Sequence, residues 1–92
     1  IPQILLGDFN AIPDSEPIQT LKKQWQDSRK TKDTRYLGTF NGFNEEMEPL
    51  RIDYIFYSDL NPEYQIHLHK RMKNNRYISD HYPVIAKFNF QR

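Results

Sequence analysis

Cysteine is absent from the 92 residues, which excludes a disulfide scaffold, a thiolate metal site and a cysteine nucleophile, and leaves the redox compartment open. No apolar run approaches the roughly 20 residues needed for a membrane-spanning helix. Nor is there an excess of either charge. Thirteen basic residues stand against 12 acidic ones, a net charge of +1, so composition alone does not announce a nucleic-acid binder and any attraction for an anion must be local. The chain opens Ile1-Pro2-Gln3 without a start methionine and shows no signal-peptide pattern. It is therefore read as an excised piece of a longer protein, with its compartment undetermined. At this length one small domain is expected, burying a modest fraction of its surface and only marginally stable alone.

What is present centres on Ile78-Ser79-Asp80-His81-Tyr82-Pro83-Val84, where a carboxylate and an imidazole stand side by side before an apolar strand. Asp80 can hold a hard cation or a water through its oxygens, and His81 can take a proton from water near neutral pH. An isolated Asp-His pair is commonly just a polar loop. Two further segments shift the balance: Leu5-Leu6-Gly7-Asp8-Phe9-Asn10 and Arg51-Ile52-Asp53-Tyr54-Ile55-Phe56 each set a carboxylate in or at the end of an apolar run, where burial is costly unless the charge has a partner.

In these three segments, reading GDFN, RIDYIF and SDHYPV, the sequence resembles the endonuclease/exonuclease/phosphatase superfamily, the deoxyribonuclease I-like metal-dependent phosphohydrolases. Their order and spacing match the family and span nearly the whole chain, but only the second half of the family's domain. The resemblance implies that residues 1–92 are the C-terminal half of such a domain. The first half, with a metal-binding Glu, an Asn beside it and a further His or Tyr, would lie elsewhere. The fold implied is α/β: half of a four-layer α/β/β/α sandwich, with one mixed β-sheet, a helix on one face and the other face bare. That bare face is expected to meet the missing N-terminal half, or in its absence a second copy of the chain as a homodimer.

Along the chain, residues 3–9 read as a central strand covered on both faces, because Ile4, Leu5 and Leu6 are apolar without alternation. Gly7 lets the backbone bend, and Asp8 and Asn10 would point the same way if the strand continued. Asp14 or Ser15 is expected to cap a helix over 15–26, with Ile18, Leu21 and Trp25 as its buried stripe. Residues 28–35 read as a solvated loop. Gly38-Thr39-Phe40-Asn41-Gly42-Phe43 reads as a tight loop, where the resemblance suggests that Thr39 supports the site or its substrate and that Phe40 or Phe43 walls it. Over 51–57, Ile52, Tyr54 and Phe56 should share one face and Asp53, Ile55 and Tyr57 the other. Residues 58–62 read as a turn. Residues 64–68 read as a half-exposed strand with His67 and His69 on a solvated edge. Lys70, Arg71, Lys73 and Arg76 form the local basic cluster, suited to steering an anion or simply solvated. Residues 84–90 alternate as a final strand.

The resemblance and the residue chemistry together imply divalent-metal-dependent hydrolysis of a phosphoester, with water attacking phosphorus in line. His81 is the expected general base or transition-state donor, and Asp53 fixes and charges its ring. Asp8 and Asn10 position water and a phosphoryl oxygen, and Asp80 and Asp8 are metal ligands. Asn10, Thr39 and Arg76 are expected on the substrate. Mg²⁺ suits these oxygens, with Mn²⁺ as substitute. The substrate class stays open between nucleic acid, phospholipid head groups and small phosphoesters. The alternative is a non-catalytic module that kept the fold and binds a phosphate-rich ligand or another protein.

Overall fold

The computed structural model describes residues 1–29, 38–44, 50–68 and 79–91. The Arg76 cluster, most of the 28–35 loop and His69 lie outside them. In chain order the elements are β1 (Gln3–Asp8), α1 (Glu16–Leu21), β2 (Gln26–Asp27), β3 (Asp53–Ser58), β4 (Leu60–His67) and β5 (Val84–Phe90). Among the described residues the strands form two antiparallel ladders, β1-β3-β2 and β4-β5, instead of one mixed sheet. They meet where the Tyr57 and Phe88 rings lie 5.1 Å apart.

The alternation over β3 decides which side is core. Tyr54 and Phe56 are buried with Ile18 of α1, and Leu5, Phe9, Ala11, Leu21 and Trp25 pack around them. Tyr54 and Phe56 stack at 5.4 Å, and Phe9 tilts against both. Truncating an aromatic in such a cluster typically costs about 3–5 kcal/mol. The opposite face carries Asp53 and Ile55, as the period of two predicts.

β1 departs from expectation. Among the described residues it is an edge strand beside β3, not a central one, and Ile4 and Leu6 are 50% and 64% exposed. Its unbroken apolar run reflects one face on the core, through Leu5, and one face left open.

The helix is also shorter than its apolar spacing suggests. Ser15 is the N-cap, but its hydroxyl donates to the Ile12 carbonyl at 2.6 Å instead of capping, and Pro17 sits in the first turn. After Leu21 the chain tightens into turns, and Gln26 and Asp27 pair with Tyr57 and Phe56. Strand pairing has overridden helical periodicity, while Trp25 still reaches the core.

Residues 58–62 do not form the expected turn cluster. Asp59 alone links β3 to β4, with φ of 61°, and Pro62 lies within β4 next to a register shift, a position tolerated because among the described residues β4 has a ladder partner on one side only. His67, expected on a solvated edge, is buried. No helix among the described residues is long and apolar enough to cross a membrane.

Candidate active site

The β1–β3 register sets Asp8 directly opposite Asp53. Two like charges facing each other across a ladder repel, so something must compensate. His81 does. Its Nδ1 lies 2.8 Å from Asp53 Oδ2 and its Nε2 3.8 Å from Asp8 Oδ2, the first a hydrogen bond and the second an ion-pair distance. Asp53 is the most enclosed of the three, its side chain 19% exposed against 47% for Asp8. The carboxylate that looked misplaced in an apolar strand therefore has the imidazole partner it needs.

Each member is held by local backbone chemistry. Gly7 adopts φ of 149°, a conformation that favours glycine, just before Asp8. The strand stops there. Asn10 turns to φ of 51° and donates its N–H to Asp8 Oδ1 at 2.8 Å, so the extended geometry that would align the Asp8 and Asn10 side chains does not persist. The Tyr54 hydroxyl, 2.7 Å from the Ala11 carbonyl oxygen, ties this loop to β3. Burial pushes the Tyr54 phenol up to about 12, against the Arg51 guanidinium lying over its ring. Phe40 walls the imidazole edge-on, with ring centres 5.1 Å apart. Phe43 is largely exposed.

Thr39, expected at the substrate, is enclosed instead. Its hydroxyl accepts the N–H groups of Ile52 and Asp53 at 3.0 and 3.1 Å, so it braces the head of β3 from behind. Arg76 lies outside the described residues. Asp80 sits beside His81 and raises its proton affinity, but it is not in the close group of potential ligand atoms, which comprises Asp8, Asp53 and His81 within 4.8 Å of one another. The donor set suits a hydrated, oxygen-preferring cation through the open Asp8 carboxylate, whereas the facing atoms of Asp53 and His81 are bonded to each other.

The Asp53 hydrogen bond holds the His81 pKa above its ordinary 6.5, with desolvation opposing and the charges of Asp53, Asp80 and Asp8 adding to the rise. A histidine pKa raised by folding means that the native state binds the proton more tightly than the unfolded chain. Without divalent cations, the stability due to this pair is thus expected to be complete below about pH 6.5 and to fade as pH climbs through the raised folded value. Denaturant midpoints measured across this window should fall more steeply for wild type than for Asp53→Asn; parallel curves would contradict the coupling.

Two polar devices escaped the sequence reading. Arg51 and Asp27 form a bidentate pair, both contacts 2.7 Å, with side chains 8% and 9% exposed. Asn41 is buried beneath the His81 turn.

The endonuclease/exonuclease/phosphatase family model matches residues 1–81. The chain belongs to this family. Its members are generally hydrolytic and metal-dependent, and the paired Asp53 and His81 fall within the matched span. A crystal structure of a conserved, functionally unknown protein from Enterococcus faecalis V583 is similar, with a TM-score of 0.84 and 29% identity, covering 98% of this chain. The chain spans 37% of that protein's length. No curated protein matches the sequence.

Proposed function

We propose that this chain is the C-terminal half of a divalent-metal-dependent phosphoester hydrolase, most suited to a phosphodiester. The observation that carries this reading is the His81 ring, bonded through Nδ1 to Asp53 at 2.8 Å with Nε2 turned toward Asp8. With the Nδ1 proton donated to Asp53, Nε2 is the free base: it takes a proton from the attacking water, and Asp53 stabilises the imidazolium that forms. Asp8 and Asn10 orient the water and a phosphoryl oxygen. Asp8 would hold Mg²⁺, or Mn²⁺ in its place, directly and Asp80 through a bound water, together with ligands elsewhere in the family domain, and the cation would supply charge neutralisation at the phosphate. Arg76 is assigned to the anionic substrate, whether nucleic acid, phospholipid head group or small phosphoester.

Hydrolysis of bis-p-nitrophenyl phosphate, plasmid DNA and phosphoinositides, assayed in parallel on the full family domain with Mg²⁺ and with chelator, tests this reading. Turnover indifferent to the chelator, or none on any substrate, overturns it. The 92-residue chain alone is expected to stay near background, since these carboxylates make no closed oxygen site.

The rest of the family domain is the proposed occupant of the open face, where Pro2, Gln3, Ile4, Leu60, Phe88 and Phe90 line a depression of about 420 Å³. The chain's 37% share of the similar solved protein supports this. Without that cover the isolated chain should self-associate. Light scattering that returned a stable monomer at high concentration would count against it.

A further inference from the structure

Residues 39–41 run between the two halves of the catalytic pair. On one side Thr39 and Phe40 exchange backbone hydrogen bonds with Leu50, just ahead of β3. On the other, the Tyr82 N–H donates to the Thr39 carbonyl at 2.6 Å and the Asn41 N–H to the Asp80 carbonyl at 2.8 Å. Asp53 and His81 belong to segments that this strip joins.

Within the strip, the Asn41 side chain bonds directly to the His81 turn. It is 1% exposed. Its Nδ2 donates to the Ser79 carbonyl at 3.0 Å, and its Oδ1 accepts the Phe43 N–H at 2.8 Å. Ser79 in turn accepts the His81 N–H on its Oγ at 3.1 Å. A buried amide with both ends engaged is fixed in place, and its removal strands a carbonyl and an N–H together.

We propose that Asn41 is a positioning residue for His81: through Ser79 it holds the 79–81 turn so that the imidazole stands between Asp53 and Asp8. This assignment rests on the hydrolase reading for its effect on rate, but not for its effect on the ring. A turn held at its Ser79 end by a buried side chain cannot carry the His81 backbone away from Asp53 without breaking the amide's bonds. Thr39, by contrast, fixes the Asp53 end.

The test uses Asn41→Ala and Ser79→Ala in the full family domain. Proton NMR of the His81 ring N–H reports the bond to Asp53, and the kcat and KM on bis-p-nitrophenyl phosphate report catalysis. For Asn41→Ala the ring N–H signal should be lost to exchange and kcat should fall about 10- to 100-fold with KM little changed, as a small misplacement of a catalytic group does. Ser79 is exposed, so Ser79→Ala should fold normally and show a smaller loss in the same direction. A retained signal with unchanged kcat in folded Asn41→Ala overturns the assignment. So does an unaffected Ser79→Ala if Asn41→Ala fails to fold. Loss of the signal in a domain whose wild type hydrolyses nothing would support the positioning role while refuting the hydrolase reading.

Discussion

Replacing Asp53 by asparagine is expected to lower the rate of the full family domain by about 10³- to 10⁴-fold with the fold intact. The amide is nearly isosteric and can still meet the imidazole across the 2.8 Å now bridged to Nδ1. What it lacks is the negative charge. An amide oxygen can accept the Nδ1 proton, but it cannot stabilise the imidazolium created when Nε2 takes a proton from water, and an amide nitrogen in its place would enforce the wrong tautomer. The His81 pKa should drop as its main support disappears, moving the pH profile to lower values. Rate constants, thermal melting and circular dichroism together decide the point. A folded variant hydrolysing at the wild-type rate would reduce Asp53 to a structural residue.

A large effect on stability is expected at Arg51, away from the site. Arg51→Met leaves Asp27 buried with the Arg29 N–H at 3.0 Å but without its counter-charge, and breaking a buried ion pair in this way costs about 3–5 kcal/mol. The guanidinium also covers the Tyr54 ring at 4.5 Å, so packing is lost together with charge. Combining Arg51→Met with Asp27→Leu should recover most of the loss, because two apolar side chains can fill the space without a desolvated ion. Urea unfolding of the single and double variants distinguishes the cases. Equal stability of the two would mean that Asp27 finds water or another partner when Arg51 is gone. Arg51→Lys is not expected to rescue, since an ammonium cannot span both carboxylate oxygens in the plane that the guanidinium occupies.

These two sites differ in how far the sequence revealed them. Asp53 was legible because a charged residue among β-branched and aromatic neighbours is an energetic anomaly, and the motif containing His81 supplied a partner of the right chemistry. The β3 faces were legible for a similar reason, a period of two interrupted by one acid. Arg51 and Asp27 gave no such signal: each is an ordinary polar residue at the end of a segment, and their pairing exists only once Gln26 and Asp27 join the sheet. That same pairing cut short the helix whose spacing ran on to Trp25. Thr39 turns its hydroxyl to the Ile52 and Asp53 N–H groups, a direction that follows from backbone angles in a loop and that the residue type does not encode. For β1, an apolar run looks alike whether its second face is covered by a helix or waits for another layer.

The opposition of Asp8 and Asp53 across the β1–β3 ladder makes the site sensitive to counting. Because side chains alternate along a strand, deleting Leu6 or Gly7 would turn either the core side chain Leu5 or the carboxylate Asp8 to the wrong face, and pairing energy would favour keeping the core. Such a deletion would give a chain that folds with its two carboxylates on opposite sides of the sheet. Deletions of two residues preserve the alternation and shorten the ladder instead. Variation in length between Leu5 and Asp8 is therefore expected in even steps where activity is retained, a constraint that arises from the pleat of the strand and that no substitution at Asp8 would disclose.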